Sequence, residues 1–273
     1  MIYTIKSNQI ELSVNSFGAS MHSLKYLGVE RLWQGGEAWA SRDVVIFPVV
    51  GHAGAYIAEG REFCPKSHGV ARYSEFTLVE IGEDKLILEL TSNDETKLTY
   101  PYDFILRVKY TVREDTVNIG YEVKSGGGKI PFYIGSHAGM VAPTGEAIIE
   151  FENTEDPIHY YVDKMEAVCL QGINRFVVNK ETFQKFKTMQ LGELSGGEIY
   201  ARTADGYTYT YKSDCPIVAI WSNEKEGDYI CIECWWGIND VPEFPKELAK
   251  KPFINFTDEK GRNFSYSLKI SKE

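Results

Sequence analysis

The sequence predicts an all-β protein with very little helix, and three observations indicate this. Short apolar or alternating runs of strand length recur along the chain, with turn-forming residues between them. The 17 Tyr, 14 Phe and 5 Trp residues favour pleated, half-buried surfaces. Helical periodicity is scarce, so the strands are expected to pack as a sandwich or a barrel.

Each predicted strand is an apolar run bounded by turn signals. In chain order the runs are Ile10–Val14, Thr77–Glu80, Leu86–Leu90, Ile105–Thr111, Thr116–Lys124, Ile130–Ile134, Ala147–Glu150, Glu198–Ala201, Tyr207–Tyr211, Ile217–Trp221, Tyr229–Glu233 and Ser265–Ile270. One or two helical turns are predicted at Phe244–Lys251, because Pro245 lies near the start and Pro252 closes the segment. Thr182–Leu191 is ambiguous between helix and strand. Since no linker or repeat divides the chain, residues 1–273 are predicted to form a single domain.

Composition limits the partners and the compartment. The formal net charge of −10 argues against a nucleic-acid or anionic-membrane partner. No apolar run approaches the length of a membrane span, and Met1–Val14 lacks the basic-then-apolar pattern of a secretory signal. We therefore expect a cytoplasmic protein, for which a monomer and a homodimer are both open.

The five cysteines do not form a recognisable framework. Cys64, Cys169, Cys215, Cys231 and Cys234 are odd in number and widely scattered, which does not indicate disulfides. Cys231 and Cys234 form a C-x-x-C motif, but residues three apart on a strand point to opposite faces. No second C-x-x-C completes a zinc site, so no bound metal is expected.

A single carboxylate lies inside an apolar, aromatic run. Glu233 occupies the middle of Tyr229–Gly237, a segment that predicts a buried strand. Burying a lone ionised carboxylate costs free energy, so the pattern indicates either a partner or a chemical task. Desolvation would raise the pKa of Glu233 towards the range of a general base. Pairing with a core arginine or histidine explains the pattern equally well.

Two histidines favour a chemical role for Glu233 over a purely structural one. His137 follows the apolar run Ile130–Ile134, and His68 is followed by a glycine and then by Arg72. Each of these histidines lies beside a glycine at an apparent strand end. A lone histidine there is more often structural, but two histidines, an arginine and Glu233 together suit acid–base chemistry on a small polar substrate.

Several short blocks resemble the aldose 1-epimerase (galactose mutarotase) family, and in particular its LacX-like branch. The blocks are Phe17–Leu24, Glu30–Gly35, Ile46–Gly51, His68–Arg72, Tyr100–Phe104, Gly135–His137 and Ile232–Asp240. They run nearly from end to end of the chain, and their order and spacing are more specific than any one block.

The resemblance implies both a fold and a mechanism. The fold is an antiparallel β-supersandwich, in which two large sheets lie face to face and one carries an open sugar cleft. In the mechanism, Glu233 removes the proton of the anomeric hydroxyl while His137 protonates the ring oxygen, so that the hexose ring opens and recloses as the other anomer. Because the reverse step restores both groups, neither a cofactor nor a metal is required.

The resemblance also implies residues that bind the sugar. His68 is expected to hydrogen-bond it, with a turn histidine bonded to backbone as the alternative. Arg72 is expected to contact a sugar hydroxyl or a phosphate, with a structural ion pair equally open. Trp236 is predicted to form a wall of the cleft. His52 stands where the family often carries a sugar-binding arginine or asparagine.

The sequence departs from the family around its acid–base pair. His137-Ala138-Gly139-Met140 replaces the usual His-Pro-x-Phe, and Glu233-Cys234-Trp235 replaces Glu-Pro-Trp. The sugar-binding aspartate of the galactose enzymes has no matching motif, and Asp156 and Asp163 are the candidates. The residues that set specificity are therefore altered, so the substrate need not be galactose.

Two alternatives stay open. A hexose-6-phosphate epimerase would need a cluster of arginines at the cleft, for which Arg42, Arg61 and Arg72 are the candidates. A non-catalytic carbohydrate-binding or regulatory protein could use the same scaffold. Retention of both His137 and Glu233 favours an enzyme, since binding alone would not need both.

Overall fold

The computed structural model describes residues 1–223 and 227–273, and it confirms the all-β class, with 51% strand and 7% helix. The first strands are β1 (Ile2–Lys6), β2 (Ile10–Asn15), β3 (Ser20–Tyr26), β4 (Val29–Glu30), β5 (Val45–Ile46), β6 (Tyr56–Ala58), β7 (Arg61–Phe63), β8 (Thr77–Ile81) and β9 (Lys85–Thr91). The middle of the chain adds β10 (Phe104–Arg113), β11 (Thr116–Ser125), β12 (Ile130–Phe132), β13 (Ile134–Ser136), β14 (Gly139–Val141), β15 (Ala147–Glu155), β16 (Ile158–Tyr160), β17 (Ala167–Cys169) and β18 (Ile173–Val178). The last strands are β19 (Met189–Gly192), β20 (Glu198–Arg202), β21 (Tyr207–Ser213), β22 (Ile217–Trp221), β23 (Tyr229–Trp236), β24 (Asn255–Thr257) and β25 (Arg262–Lys272).

Helical structure is short wherever it occurs in the described residues. The helices are α1 (Asp94–Lys97) and α2 (Lys180–Phe186), and 3₁₀ turns occur at Ala71–Tyr73, Pro143–Gly145 and Leu248–Lys250. Both α-helices begin with a capping box, in which an asparagine side chain accepts a hydrogen bond from the backbone of a threonine three residues on. None of the described helices has the length and apolarity needed to cross a membrane.

Two large antiparallel sheets form the sandwich within the described residues. One sheet has nine strands in the order β18-β15-β20-β21-β25-β11-β10-β9-β8. The other has the order β17-β16-β19-β22-β23-β13-β5, and β14 adds to it by pairing with β23. A four-stranded sheet β1-β2-β3-β4 and the pairs β6-β7 and β12-β24 complete the fold. This is the β-supersandwich that the resemblance implied.

The core lies between the two large sheets. Along β10, buried residues alternate with half-buried ones, as expected for a strand with one face on the core. Ring contacts cross the interface, since Trp236 of β23 packs against Tyr121 of β11 and Phe264 of β25. In contrast, every residue of β23 is buried, so this strand is covered on both of its faces. Its outward face is the one that positions the candidate site.

Three sequence-based assignments change in the structure. The run Ile130–Ile134 is broken at Tyr133, whose N–H donates to the Pro48 carbonyl oxygen, so β12 and β13 pair with different sheets. Of the one or two helical turns predicted at Phe244–Lys251, the structure has a single 3₁₀ turn at Leu248–Lys250, and the Lys246 carbonyl accepts from the Ile57 N–H instead of bonding within a helix. The ambiguous Thr182–Leu191 contains the end of α2 and the start of β19.

Candidate active site

A cleft of about 650 Å³ opens on the face of the eight-stranded sheet that is turned away from the core. Its floor includes Glu233 and Trp235 of β23 together with His137, which lies in the turn between β13 and β14. Its sides come from loops, among them the segments that carry Trp39 and His68. Because a rigid sheet carries the floor while loops supply the walls, the polar groups are fixed before any ligand arrives.

Glu233 is buried on this floor, with 1% of its surface exposed. The Trp235 indole Nε1–H donates to Glu233 Oε2 at 3.1 Å and lies 3.2 Å from the Ser136 carbonyl oxygen. Burial raises the pKa of Glu233 well above its ordinary value, and the Trp235 hydrogen bond opposes that rise. The nearby carboxylate of Asp43 raises this pKa further.

Aromatic rings hold the His137 side chain in place. Trp39 stacks on the imidazole at 4.7 Å between ring centroids, and Trp221 meets it edge-on at 5.2 Å. His137 Nδ1 lies 3.5 Å from Glu233 Oε2. This nitrogen is buried and forms no hydrogen bond within the described residues. The structure therefore brings together the two residues that the sequence analysis selected as acid and base.

The electrostatics of the pair favour uncharged forms in the empty cleft. Burial lowers the pKa of His137 well below its ordinary value, and the neighbouring His68 ring and Arg72 guanidinium lower it further. With the pKa of Glu233 raised, the favoured state is a neutral imidazole beside a carboxylic acid. An ion pair of carboxylate and imidazolium contains the same number of protons, so one proton can move between the two forms.

His68 is placed by an unusual backbone conformation. Its φ of 64° is left-handed, and Gly69 follows with a φ of 78°. A Cβ atom at Gly69 would collide with the Phe47 carbonyl oxygen and the Pro48 ring, so this turn requires glycine. The Gly51 N–H donates to His68 Nδ1 at 3.2 Å.

The protonation state of His68 follows from its surroundings. Burial, aided by the neighbouring Arg72 and His52 side chains, lowers the pKa of His68 to about 3, so the ring is neutral. Since Nδ1 accepts a hydrogen bond, the ring proton is assigned to Nε2. His68 thus offers a hydrogen-bond donor that stays uncharged at neutral pH.

The predicted arginines do not converge on the cleft. Arg72 lines it and donates to Ser41 Oγ at 2.8 Å, without an acidic partner among the described residues. Arg42 donates instead to the His22 carbonyl oxygen and the Gln34 side chain, and Arg61 lies on β7 beside Phe63. His52 lines the cleft as an exposed side chain.

The prediction that Trp236 forms a wall of the cleft is wrong. Alternation along β23 points Glu233 and Trp235 outward, while Trp236 points into the core. There the Trp236 Nε1–H donates to Asp214 Oδ1 at 3.1 Å. Of the two adjacent tryptophans on β23, Trp235 is the one that lines the cleft.

Of the two aspartates predicted as possible sugar ligands, only one lines the cleft. Asp163 lies on the rim of the cleft and forms an ion pair with Lys187 at 3.1 Å. Asp156 does not line the cleft, and its carboxylate accepts a hydrogen bond from the Gly172 N–H. The cleft contains in addition Asp240, which pairs with the buried Lys251 Nζ at 2.6 Å.

Sequence reasoning missed Asp43, a second buried carboxyl group behind the pair. It accepts hydrogen bonds from the backbone N–H groups of Met21 and His137, so it ties the loop that carries His137 to the chain that precedes β5. Burial raises the pKa of Asp43 to about 6. The available signal was the one used for Glu233, since Asp43 directly precedes the apolar run Val44–Val50.

Comparison with known proteins gives one family. A sequence model described as aldose 1-epimerase matches residues 1–152. The chromosomal and plasmid LacX proteins of Lactococcus lactis subsp. lactis are each 24% identical to this chain, over 93% of it and 94% of their own length.

Solved structures agree with the fold. A galactose mutarotase related enzyme from Lactobacillus acidophilus superposes with a TM-score of 0.92 at 24% identity, covering 100% of this chain and 98% of its own. A galactose mutarotase-like protein from Lactobacillus casei ATCC 334 has the same TM-score at 18% identity, covering 99% and 100%. The galactose 1-epimerase of Lactobacillus acidophilus NCFM gives a TM-score of 0.74 at 10% identity, covering 98% and 93%. Since the family match spans more than half of the chain, the protein belongs to the aldose 1-epimerase family.

Proposed function

We propose that this protein interconverts the α and β anomers of a free hexose or a closely related sugar. The observation that carries the proposal is the separation of 3.5 Å between His137 Nδ1 and Glu233 Oε2 on the floor of a cleft of about 650 Å³. That volume is within the range of small-molecule sites, roughly 300–1,000 Å³. A buried base and a buried acid this close can act on two oxygens bonded to the same carbon.

The proton balance of the reaction fits the pair. Glu233 as carboxylate accepts the proton of the anomeric hydroxyl, and His137 as imidazolium gives its proton to the ring oxygen. The bond between C1 and the ring oxygen breaks, and C1 becomes the aldehyde carbon. The pair is left as carboxylic acid and neutral imidazole, which is the form that burial favours. Rotation about C1–C2 and the reverse steps give the other anomer.

Other side chains of the cleft would orient the sugar. The His68 Nε2–H can donate to a ring or hydroxyl oxygen without changing its charge. Trp39 and Trp221 line the cleft as half-buried side chains, and flat aromatic surfaces of this kind pack against the C–H faces of sugars. Acid–base assistance contributes on the order of 10²–10⁴ in rate. Positioning must supply the rest.

A free sugar is favoured over a sugar phosphate. Of Arg42, Arg61 and Arg72, only Arg72 lines the cleft. Lys187 and Lys251 are already paired with Asp163 and Asp240. Within residues 1–223 and 227–273, a phosphate dianion bound here would therefore find one arginine without an acidic partner, whereas a phosphate site normally combines several donors.

The decisive experiment is polarimetry on freshly dissolved α-D-galactose and α-D-glucose. Wild-type protein should accelerate mutarotation of at least one sugar, and Glu233→Gln should lose about 10²–10⁴ of that acceleration. Glu83→Gln is the matched control, because Glu83 is exposed and does not line the cleft. Normal mutarotation by a folded Glu233→Gln protein would show that another group is the base.

If the protein accelerates the mutarotation of neither sugar, two explanations remain, and further assays distinguish them. Acceleration with glucose 6-phosphate or galactose 6-phosphate alone would replace the free-sugar proposal with a phosphosugar epimerase. Quenching of tryptophan fluorescence by sugar without any acceleration would indicate a non-catalytic carbohydrate-binding protein. Trp39, Trp221 and Trp235 all line the cleft, so they would report binding in either case.

A further inference from the structure

A thiol lies directly beside the acid–base pair. Cys231 is two residues before Glu233 on the outward face of β23 and is fully buried. Its Sγ, one ring nitrogen of His137 and a Glu233 carboxylate oxygen all lie within 4.8 Å of one another. The proposed reaction uses only the imidazole and the carboxylate, so the thiol has no assigned role.

These three atoms are of the kinds that bind zinc. Thiolate sulfur, imidazole nitrogen and carboxylate oxygen bind Zn²⁺ at about 2.3, 2.0–2.1 and 2.0–2.2 Å in tetrahedral sites. Ligands around one such ion lie roughly 3–4 Å apart by that geometry, so modest side-chain rotations bring the set to bonding distance. A fourth position would face the cleft, because His137 and Glu233 line it.

His137 supplies an independent indication of a ligand. Its Nδ1 is buried and has no hydrogen-bond partner among the described residues, although it lies 3.5 Å from Glu233 Oε2. A buried polar atom without a partner costs free energy, and a bound cation would satisfy it. The Glu233 carboxylate beside this nitrogen belongs to the same group of three possible metal ligands.

Charge balance also suits a divalent cation. The forms in which these two side chains bind a metal ion are the Cys231 thiolate and the Glu233 carboxylate. Thiolate and carboxylate together then cancel the two positive charges of the ion, so the buried complex has no net charge. A neutral complex avoids most of the desolvation cost of an isolated buried ion.

We propose that Cys231, His137 and Glu233 form a binding site for a thiophilic divalent cation such as Zn²⁺, and that its occupancy blocks the sugar reaction. The ion would occupy the lone pairs that the acid and the base need for proton transfer. The binding site stands on geometry alone, whereas the inhibition rests on the proposed function. The C-x-x-C motif is not the site, since Cys234 faces the core.

The test is titration of the reduced protein with Co²⁺, which reports a cysteine ligand through a thiolate-to-cobalt charge-transfer absorption band. One equivalent should produce the band, and Zn²⁺ should remove it by competition. Cys231→Ser and Cys231→Ala should both abolish the band and weaken binding by at least about 100-fold, more than loss of an outer-sphere partner. Circular dichroism would confirm that each variant is folded.

Control variants at two other cysteines test whether the absorption band depends on Cys231, and inhibition of mutarotation by Zn²⁺ is the second measurement. Cys64→Ser and Cys169→Ser remove exposed thiols and should keep the band. A band that survives Cys231→Ala, or no band at all, would overturn the site. Zn²⁺ should inhibit mutarotation by wild type but not by Cys231→Ala, and equal inhibition of both would overturn the inhibitory role. A Cys231-dependent band in a protein without mutarotase activity would refute the proposed function and leave the metal site standing.

Discussion

The protonation of Glu233 and His137 is decided by burial acting on both residues at once. Desolvation disfavours the charged form of each group, which raises the pKa of the carboxyl and lowers that of the imidazole. Asp43 strengthens the first effect, because its carboxyl lies behind the pair. As a result, the pH range in which Glu233 and His137 together hold one titratable proton is wider than it would be for two groups with ordinary pKa values.

This shared proton predicts an unusual pH profile. With ordinary pKa values of 4.5 for Glu233 and 6.5 for His137, an enzyme that needs carboxylate and imidazolium would lose activity above pH 6.5. In the pair, removal of the last proton is controlled by the raised pKa of Glu233. We therefore expect kcat/KM for mutarotation to stay flat as the pH rises through 6.5.

The profile is measured by polarimetry, with the buffer-catalysed rate subtracted at each pH. The exposed control Glu83→Gln should give the same profile as wild type. A tenfold fall of kcat/KM for each pH unit above 6.5 would mean that the two groups titrate independently.

At the scale of the secondary-structure element, β23 serves the core and the cleft at the same time. Its side chains alternate, so Ile232, Cys234 and Trp236 pack into the sandwich while Glu233 and Trp235 face outward. The adjacent tryptophans thus have separate tasks. One donates a hydrogen bond to the proposed base, and the other packs against the opposite sheet.

The two tryptophans should respond differently to the same substitution. Trp235→Phe removes the hydrogen bond to Glu233 Oε2, and a bond to a charged group is worth about 1.5–3 kcal/mol, so kcat/KM should fall about tenfold or more. Trp236→Phe removes the bond to Asp214 and some core packing, so it should cost about 1–3 kcal/mol of unfolding free energy and leave kcat/KM unchanged.

Polarimetry and urea unfolding on both variants provide the measurement. Each variant is the control of the other, because the same change is made on neighbouring residues of one strand. Loss of activity in a folded Trp236→Phe protein, with normal activity in Trp235→Phe, would invert the assignment of the two faces.

At the scale of the whole molecule, one hydrophobic core joins the sheets. The buried cluster draws residues from β1 through β25, including Ile5, Val108, Ile220 and Ile270. The single domain over residues 1–273 stays a prediction, and the shared core gives it a physical basis. If neither sheet can bury its inner face alone, the two sheets should unfold together.

Cooperative unfolding is therefore expected in urea. Tryptophan fluorescence reports mainly the cleft and β23, since Trp39, Trp221 and Trp235 line the cleft and Trp236 lies on that strand. Far-ultraviolet circular dichroism reports all of the strands. The two signals should give one midpoint, and two clearly separated midpoints would divide the chain into independently stable units.

Much of the architecture could be predicted from local pattern. The alternation along Ile105–Thr111 and the continuous apolar run around Glu233 correspond to strands in the structure. The helix at Phe244–Lys251 could not be excluded from its own residues, because a distant strand, Tyr56–Ala58, takes up one of its carbonyl groups. The prediction for Trp236 is wrong for a local reason, since alternation from Glu233 selects Trp235 as the residue on the same face.

The sequence by itself determined the fold class, the family resemblance and the choice of His137, Glu233 and His68, because these depend on local pattern and on the order of motifs. Only the tertiary structure decided which side chains share the cleft. It brought Asp43 behind the pair, excluded Arg42 and Arg61, and set Cys231 within reach of His137. The physical reason is that distances between residues 94 or more positions apart depend on how whole sheets pack, and no local periodicity encodes that packing.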